Sequence, residues 1–315
     1  MTQILRPKKR KRIQLILIGG LGNQLFQYFA GQYLAHKSGG VLRVDSSLSQ
    51  FGSSGHSDWI NELTLPTSFT PSPNQYSLTY LMSVVRRKVR HSLTRLISSK
   101  RLQLRILHQY QSPEVGFDPL LENLKPPVTI TGYFQTWKYY QALKGKDLVS
   151  EIQIKNPSTW FLEKLKDLRS QGSVLGIHVR RGDYVGNSDI GTLSVSYYEA
   201  ALRELRLRGV SWDTIWIFSD DKALTQLEFK EFEGGGKYVH FVDPPKESHS
   251  FESMLLMSKC QSIAIANSTF SWWAASLGDQ NKIVVCPSKW FLGMSDPQDL
   301  YPKDWTKIPS DWINL

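Results

Sequence analysis

Residues 174–184 read VLGIHVRRGDY, and this stretch decides the fold class of the chain. Its apolar half, Val174–Val179, is typical of a parallel strand that is buried on both faces. Gly182 favours a turn soon after the strand, and Arg180 and Arg181 stand where the strand ends. Two adjacent arginines beside a turn favour an anionic ligand, although an ion-pair cluster in solvent accounts for the same residues.

The alternation of strand and helix continues from this stretch to the end of the chain. Short apolar runs predict strands at 174–179, 214–218, 238–242, 262–266 and 282–285, with helices near 196–208, 221–231, 249–260 and 271–277. This order predicts a doubly wound parallel sheet, in which the carboxyl ends of all strands lie at one ligand-binding edge. A polar motif stands at each of these ends, at 178–183, 219–221, 243–245, 267–270 and 286–290.

A glycine-rich turn follows the first apolar run of the chain. The pattern predicts a strand at 13–18, the turn GGLGNQ at 19–24, a helix to about residue 37 and a strand at 41–44. An NAD-dependent oxidoreductase shares this pattern, but Leu25 stands where the dinucleotide fingerprint needs Gly or Ala. Asn23 at the helix start either caps the helix or meets an anionic or hydroxyl-rich ligand.

The residues at the predicted sheet edge favour a nucleoside diphosphate. Asn267, Ser268 and Thr269 stand between a strand and a helix, where hydroxyl and backbone N–H groups bind anions. Asp220 and Asp221 follow another strand, and each carboxylate either accepts N–H groups of guanine or caps the next helix. The sequence has no P-loop and no CxxC, HExxH or DxD motif. We therefore expect arginine and backbone donors, rather than a metal ion, to neutralise the diphosphate.

Positive charge is concentrated in the first third of the chain. Residues 1–110 hold 16 of the 38 Lys and Arg but only 3 of the 28 Asp and Glu, and the net charge of the chain is +10. Most of this excess lies in the tail at 6–12 and at 86–105, within a segment (80–110) that predicts amphipathic helices. Nucleic acid would account for the charge but not for the sheet motifs, so we expect no nucleic-acid partner.

The lengths of the apolar runs, the cysteines and a change in composition indicate the cellular compartment and the domain boundary. No apolar run approaches the ~20 residues of a membrane span, and Cys260 and Cys286 lie in apolar surroundings, as buried free thiols do. We expect a cytoplasmic protein, with peripheral contact at the inner face of an anionic membrane as an open alternative. A composition change after Asn156 predicts a basic N-terminal domain at 1–156, with the helical insertion at about 80–110, and a second domain at 157–315.

The aromatic segment at 132–140 reads GYFQTWKYY. Its rings, Trp137 among them, either pack a domain junction or form an apolar wall for a sugar ring, with Gln135 and Lys138 as polar partners.

Four stretches together resemble the signature segments of the α-1,2-fucosyltransferases, glycosyltransferase family 11. They are GGLGNQLFQ at 19–27, HVRRGD at 178–183, FSDD at 218–221 and NSTFSWWA at 267–274. The resemblance implies an α/β, GT-B-like fold, with two Rossmann-like domains facing each other across a cleft. The second domain would hold the GDP-sugar, and the first would lie on the acceptor side.

The resemblance also implies a galactoside 2-α-L-fucosyltransferase. Such an enzyme transfers L-fucose from GDP-β-L-fucose to the 2-hydroxyl of a terminal β-galactoside, with inversion and without a metal or other cofactor. Animal members of the family carry an N-terminal membrane anchor that this sequence lacks, so we expect a bacterial enzyme that acts on an oligosaccharide or a lipid-linked glycan.

By the same resemblance, Arg180 would hold the β-phosphate, His178 and Asp221 would contact the guanosine, and Asn23 would approach the fucose or the acceptor. Asp183 either acts as the general base or orients an arginine. The predicted site has catalytic residues Arg180, Asn23 and Asp183; donor-binding residues Gly22, His178, Arg181, Asp220, Asp221, Asn267, Ser268, Thr269 and Phe270; acceptor-binding residues Gln24, Gln135 and Trp137; and no metal ligand.

A non-catalytic nucleotide-sugar or glycan-binding protein of the same fold is the alternative function. The sequence leaves open the acceptor glycan, its β-1,3 or β-1,4 linkage, the general base, the role of the basic tail and the oligomeric state.

Overall fold

The structure is a computed structural model that describes residues 12–46, 59–65, 108–143, 152–232, 234, 237–246, 248–279 and 281–313. The basic segments at 6–11 and 86–105 lie outside the described residues, so the expectations for them stay predictions. The chain divides into two units, Met1–Asn61 with Thr67–Lys144 and Glu62–Pro66 with Gly145–Leu315. Among the described residues, none of the helices combines the length and the apolar character that a membrane crossing needs.

The described elements are as follows. The strands are β1 (Arg12–Ile16), β2 (Val41–Asp45), β3 (Leu63–Thr64), β4 (Gln109–Gln111), β5 (Val128–Thr131), β6 (Gln153–Ile154), β7 (Val174–Val179), β8 (Thr214–Ser219), β9 (Tyr238–Phe241), β10 (Ser262–Ala264), β11 (Ile283–Pro287) and β12 (Thr306–Ile308). The α-helices are α1 (Leu21–Ser38), α2 (Lys138–Ala142), α3 (Thr159–Ser170), α4 (Val195–Leu207), α5 (Lys222–Glu228), α6 (Ser250–Met257) and α7 (Thr269–Ser276). Single 3-10 turns span Trp59–Glu62, Pro119–Asn123 and Gly182–Tyr184.

The first unit contains a parallel sheet with the strand order β2-β1-β5-β4. Helix α1 packs on β1 and β2 and is buried over most of its length. A Cβ atom at Gly31 would lie 2.8 Å from the Leu42 side chain, so glycine lets the helix approach β2 closely. The predicted strand, turn, helix and strand over 13–44 are thereby confirmed.

Strand β4 corrects the expectation of a helix that continues to residue 110. Gln109–Gln111 pairs in parallel with β5. Tyr110 is buried while its neighbours are more exposed, which is the alternation of a strand at a sheet edge. Three residues are too few for that alternation to be recognised in the sequence.

The second unit is organised around β7. Its sheet has the order β12-β11-β10-β7-β8-β9 and is parallel throughout. All six residues of β7 are buried, as the apolar run in the sequence predicts for a strand covered on both faces. The other four predicted strands and the four predicted helices are present, with bounds shifted by a few residues.

Helix α3 and strand β12 are elements that the sequence reasoning did not predict. Ser158 caps α3 by accepting the Phe161 N–H at 3.1 Å. The buried carboxylate of Glu252 accepts the Ser158 N–H at 2.7 Å and its hydroxyl at 2.9 Å, and so fixes the start of α3 against α6. β12 has only three residues, too few to show a period.

Candidate functional site

Arg180 lies one residue beyond β7, at the carboxyl edge of the second unit's sheet. Its Nη2 donates to Asp183 Oδ1 at 2.5 Å, and its Nη1 lies 3.2 Å from Asp220 Oδ2. Its Cζ lies 5.0 Å from the centre of the Tyr184 ring. Burial lowers the pKa of Arg180, but the negative charges nearby outweigh this and the net shift is upward, so the side chain stays cationic.

Arg181 lies in the core of the second unit rather than at the ligand-binding edge. Its side chain is fully buried, and its Nε donates to Glu228 Oε2 at 2.6 Å. Its Nη1 donates to the carbonyl oxygen of Arg180 at 2.9 Å, and its backbone N–H donates to Asp220 Oδ1 at 2.8 Å. In this structure the side chain holds the turn that carries Arg180, and the predicted donor contact of Arg181 stays a prediction.

Gly182 allows Asp220 to lie directly beneath this turn. The residue has a φ of +27°, and a Cβ atom there would stand 2.2 Å from Asp220 Oδ2. Because Asp220 binds the Arg180 guanidinium and the Arg181 N–H together, any side chain at 182 would displace the group that fixes both arginines. The glycine in the motif thus has a geometric cause.

His178 is a buried residue of the site whose ring contacts the ring of Phe270. Its ring stacks on Phe270, with centroids 4.8 Å apart and planes 28° from parallel. Burial, and then the charges of Arg180 and Arg181, lower the pKa of His178 to about 3, so the imidazole is neutral near pH 7 and is a weak base. Its Nδ1 is buried and has no hydrogen-bond partner among the described residues. A buried polar atom without a partner is costly, which favours a ligand atom at this position.

A pocket of about 260 Å³ opens between the ends of β7, β8 and β9 and the start of α6. Predicted site residues and residues that the prediction missed share its wall. The lining residues are His178, Arg180, Phe218, Ser219, Asp220, Val242, Pro244, Pro245, Ser248, Ser250, Ser253 and Phe270. Apolar walls with a cation at one end suit a planar base joined to a phosphate.

Helix α7 begins beside this pocket. Its N-cap residue Ser268 is buried and makes no cap hydrogen bond with its side chain. Thr269 and Phe270 in the first turn are partly exposed, and their N–H groups precede the first bond inside the helix, from Trp272 N–H to the Ser268 carbonyl at 3.0 Å. Free N–H groups and the helix dipole make this end suitable for a phosphate.

Asn267 has a structural position in the second unit. Its side chain is buried, and its Nδ2 donates to the carbonyl oxygens of Ile190, Gly191 and Trp290 at 3.1 to 3.2 Å. The side chain thus anchors two loops at the sheet edge, and the predicted donor contact of Asn267 stays a prediction.

Asp221 caps the helix that follows it. Its carboxylate accepts the Leu224 N–H at 3.0 Å, which is the capping alternative that the sequence left open. Asp183 is exposed and paired with Arg180, which agrees with an orienting role. Neither contact tests whether these carboxylates also meet a substrate.

The first unit brings Asn23 and Gln135 together, although they are far apart in the sequence. The Gln135 Nε2 donates to Asn23 Oδ1 at 3.0 Å, where the first turn of α1 meets the loop after β5. Gln135 is buried, and its Oε1 has no hydrogen-bond partner among the described residues. This amide pair is the part of the predicted acceptor site that the structure assembles.

The other predicted residues of the first unit lie at or near the starts of α1 and α2. Gln24 is fully buried and its Nε2 donates to the Gly19 carbonyl at 3.1 Å, while Gly22 is buried in the first turn of α1. Gln27, which the prediction did not include, donates to and accepts from the Ile18 backbone at 3.0 Å. Trp137 is partly buried at the start of α2.

Sequence reasoning missed the serines of α6 and the loop before it. Ser248, Ser250 and Ser253 line the pocket, although only the motif at 243–245 was noted there. Three serines within six residues after a strand end were the available signal. Serines are so common at helix starts that this signal does not separate capping from ligand binding.

Residues 118–309 match the model of glycosyl transferase family 11. The chain belongs to this family. The O-antigen biosynthesis glycosyltransferase WbnK from Escherichia coli is 31% identical over 95% of this chain and 99% of its own length. The alpha-1,2-colitosyltransferase from Escherichia coli is 26% identical over 93% of this family 11 chain and 97% of its own. The galactoside alpha-(1,2)-fucosyltransferase 2 of Rattus norvegicus is 28% identical over 58% of this chain and 54% of its own.

A solved structure extends the likeness of this family 11 glycosyltransferase to its fold. The crystal structure of NodZ alpha-1,6-fucosyltransferase soaked with GDP-fucose aligns with a TM-score of 0.50, at 13% identity, over 85% of this chain and 93% of that chain. This likeness concerns the fold alone and confirms the predicted α/β, GT-B-like class.

Proposed function

We propose that this family 11 glycosyltransferase transfers L-fucose from GDP-β-L-fucose to the 2-hydroxyl of a terminal β-galactoside on an oligosaccharide or a lipid-linked glycan. The observation that carries the proposal is the pocket in which the cation of Arg180 stands beside the stacked rings of His178 and Phe270. The α-1,2 specificities of the rat and colitosyl relatives support the linkage.

The donor diphosphate would lie between Arg180 and the start of α7. The guanidinium is oriented by Asp183 and Asp220, and its Nε is buried without a hydrogen-bond partner among the described residues. A donor that is fixed before the reaction needs no reorganisation when charge develops on the leaving diphosphate. The N–H groups of Thr269 and Phe270 would add further donors.

The reaction would proceed in one displacement. The 2-oxygen of the acceptor bonds to C1 of fucose as the bond from C1 to the β-phosphate oxygen breaks, and GDP leaves with the bonding electrons. The acceptor hydroxyl releases its proton to solvent, and the β configuration of the donor becomes α in the product. His178, whose pKa is lowered to about 3 by burial and the nearby arginines, is too weak a base to take that proton and instead fits a donor contact.

The reaction is proposed to need no metal ion. Arg180 would supply the positive charge that a divalent cation otherwise brings to a diphosphate. Among the described residues there is no group of three or more His, Cys, Asp or Glu side chains that could hold a metal.

The test measures GDP release from GDP-fucose in excess EDTA, with and without lactose or a galactosyl-N-acetylglucosamine. We expect release that depends on the acceptor and survives EDTA. Arg180→Ala should lower kcat by about 10² to 10³-fold, the usual effect of removing one preorganised donor. Arg206→Ala is the matched control, because this arginine stacks on Trp212 away from the pocket.

Three results would redirect the proposal. Saturable GDP binding without turnover on any galactoside would favour a non-catalytic nucleotide-sugar or glycan-binding protein. Turnover with GDP-colitose but not with GDP-fucose would show that the donor sugar is colitose, which differs from fucose in lacking the 3-hydroxyl. Loss of activity in EDTA that Mg²⁺ or Mn²⁺ restores would contradict the metal-independent mechanism.

We also propose a cytoplasmic location. Peripheral contact with an anionic membrane is an alternative that the charge of the segment at 86–105 supports. Equal sedimentation with neutral and with anionic liposomes would remove this part of the proposal.

A further inference from the structure

Ser253 has an unused hydroxyl at the pocket. It lies on α6, lines the pocket and is 8% exposed. Its Oγ is buried and has no hydrogen-bond partner among the described residues. A hydroxyl in that position loses its bonds to water without gaining others, so its environment is complete only when a polar ligand atom is present.

Two other hydroxyl groups of the pocket wall, those of Ser219 and Ser248, are already engaged. Ser219 Oγ bonds with the Thr225 hydroxyl at 2.7 Å and accepts the Asp221 N–H at 3.1 Å. Ser248 Oγ donates to the Pro245 carbonyl at 2.7 Å. Ser253 differs from both hydroxyls in that its bonding capacity remains unused.

The carboxylates near the pocket are engaged as well. Asp220, the only carboxylate among the described lining residues, has one oxygen at the Arg181 N–H and the other at the Arg180 guanidinium. Asp221 caps α5. The expectation that one of these two acids reads guanine therefore has weaker support than a contact from Ser253.

We propose that Ser253 is a specificity residue whose hydroxyl contacts the hydrogen-bonding edge of the nucleotide base. The inference rests on the proposed function, because it takes the pocket to be the nucleotide site. His178 and Phe270 supply the stacked wall, and Arg180 marks the phosphate end, which leaves the α6 side of the pocket for the base edge.

A serine at this position has a consequence for base selectivity. Guanine presents two adjacent donors, N1–H and the 2-amino group, and a carboxylate can accept from both of them. One neutral hydroxyl forms a single, weaker bond there and gains little from the 2-amino group. The wild-type protein should therefore distinguish GDP from inosine diphosphate, which lacks that amino group, by less than about tenfold.

The experiment is calorimetric titration of the full chain with GDP and with inosine diphosphate. Wild type is compared with Ser253→Asp, Ser253→Ala and the control Ser250→Asp, which adds the same charge at an exposed lining residue of the same helix. Ser253→Asp should bind GDP about tenfold or more tightly and increase the preference for GDP over inosine diphosphate. Ser253→Ala should weaken both ligands about three- to tenfold, and Ser250→Asp should not increase the preference for GDP.

Two results for the Ser253 variants would contradict the proposal. Wild-type affinity for both ligands in Ser253→Ala would overturn the proposal, and so would a folded Ser253→Asp with an unchanged preference for GDP. If Ser253→Asp does not fold, as thermal melting would show, Ser253→Ala and the wild-type ratio decide the question. Absence of binding of either nucleotide to wild type would instead count against the proposed function.

Discussion

The ion pair of Arg181 and Glu228 should stabilise both the second unit and the turn that carries Arg180. The Arg181 side chain is fully buried and the Glu228 side chain is 24% exposed, with 2.6 Å between Nε and Oε2. Glu228→Gln removes the negative charge and keeps the shape, so the buried guanidinium loses its charged partner. Loss of one partner of a buried pair costs about 3 to 5 kcal/mol, and the partial exposure of Glu228 lowers our expectation to about 2 to 3 kcal/mol.

The free energy of unfolding is measured by urea denaturation, followed through the fluorescence of the 10 tryptophans in the chain. Glu204→Gln is the matched control, because Glu204 pairs with Arg208 at 2.7 Å on the surface of α4. That exposed pair should contribute no more than about 0.5 kcal/mol. A loss in Glu228→Gln as small as the control's would refute the argument.

A double variant separates stability from catalysis. Arg181→Met with Glu228→Leu replaces the pair with apolar groups of similar size and should recover most of the stability that the single variant loses. It cannot recover the bond from Arg181 to the Arg180 carbonyl. We therefore expect kcat to stay below the wild-type value while KM for the acceptor changes little.

Two further changes test the geometry of the same edge. Gly182→Ala should lower kcat by tenfold or more, because the new Cβ would stand 2.2 Å from Asp220 Oδ2. Gly186→Ala is the control and should cost only backbone strain, because nothing lies within 4 Å of a Cβ at that position. Equal activity of the two variants in the GDP-release assay would contradict this expectation. The pKa of His178 is lowered to about 3 from 6.5 by burial and the adjacent arginines, so the unfolded chain binds the extra proton and stability falls as the pH drops from 6.5 toward 3. Urea denaturation at pH 7 and pH 5 should show wild type losing about 2 kcal/mol more than His178→Asn, and parallel losses would show that His178 is not the titrating group.

The fold was largely predictable from the sequence because its long-period signals are strong. The apolar run of β7 and the regular spacing of strands after it determine a parallel sheet, and such a sheet collects the strand ends at one edge. Elements that are too short to show a hydrophobic period in the sequence were not predicted. β4 and β12 have three residues each and depend on pairing with a neighbouring strand.

The candidate site was predictable in its position but less so in the roles of its residues. Asn267 and Gln24 are polar residues within motifs, and the motif alone gives no sign that their side chains bind backbone carbonyls. Ser253 was missed for the opposite reason, since it stands in no motif and reaches the pocket only through the tertiary packing of α6, which contacts α3 and α7. Whether a polar group already has its hydrogen-bond partners depends on tertiary contacts, and the local sequence does not reveal those contacts.

The two adjacent arginines show which physical rule connects the sequence to the site. Side chains alternate between the faces of a strand, and the alternation continues for two residues past the end of β7. His178 and Arg180 accordingly line the pocket, whereas Val179 and Arg181 are fully buried on the other side. Arg180 thus presents its guanidinium to the pocket, whereas Arg181 pairs with Glu228 and holds the Arg180 carbonyl. Exchange of either arginine for lysine should consequently have different effects: at 180 on turnover, and at 181 on stability as well, because lysine cannot reproduce the two directed bonds of the buried guanidinium.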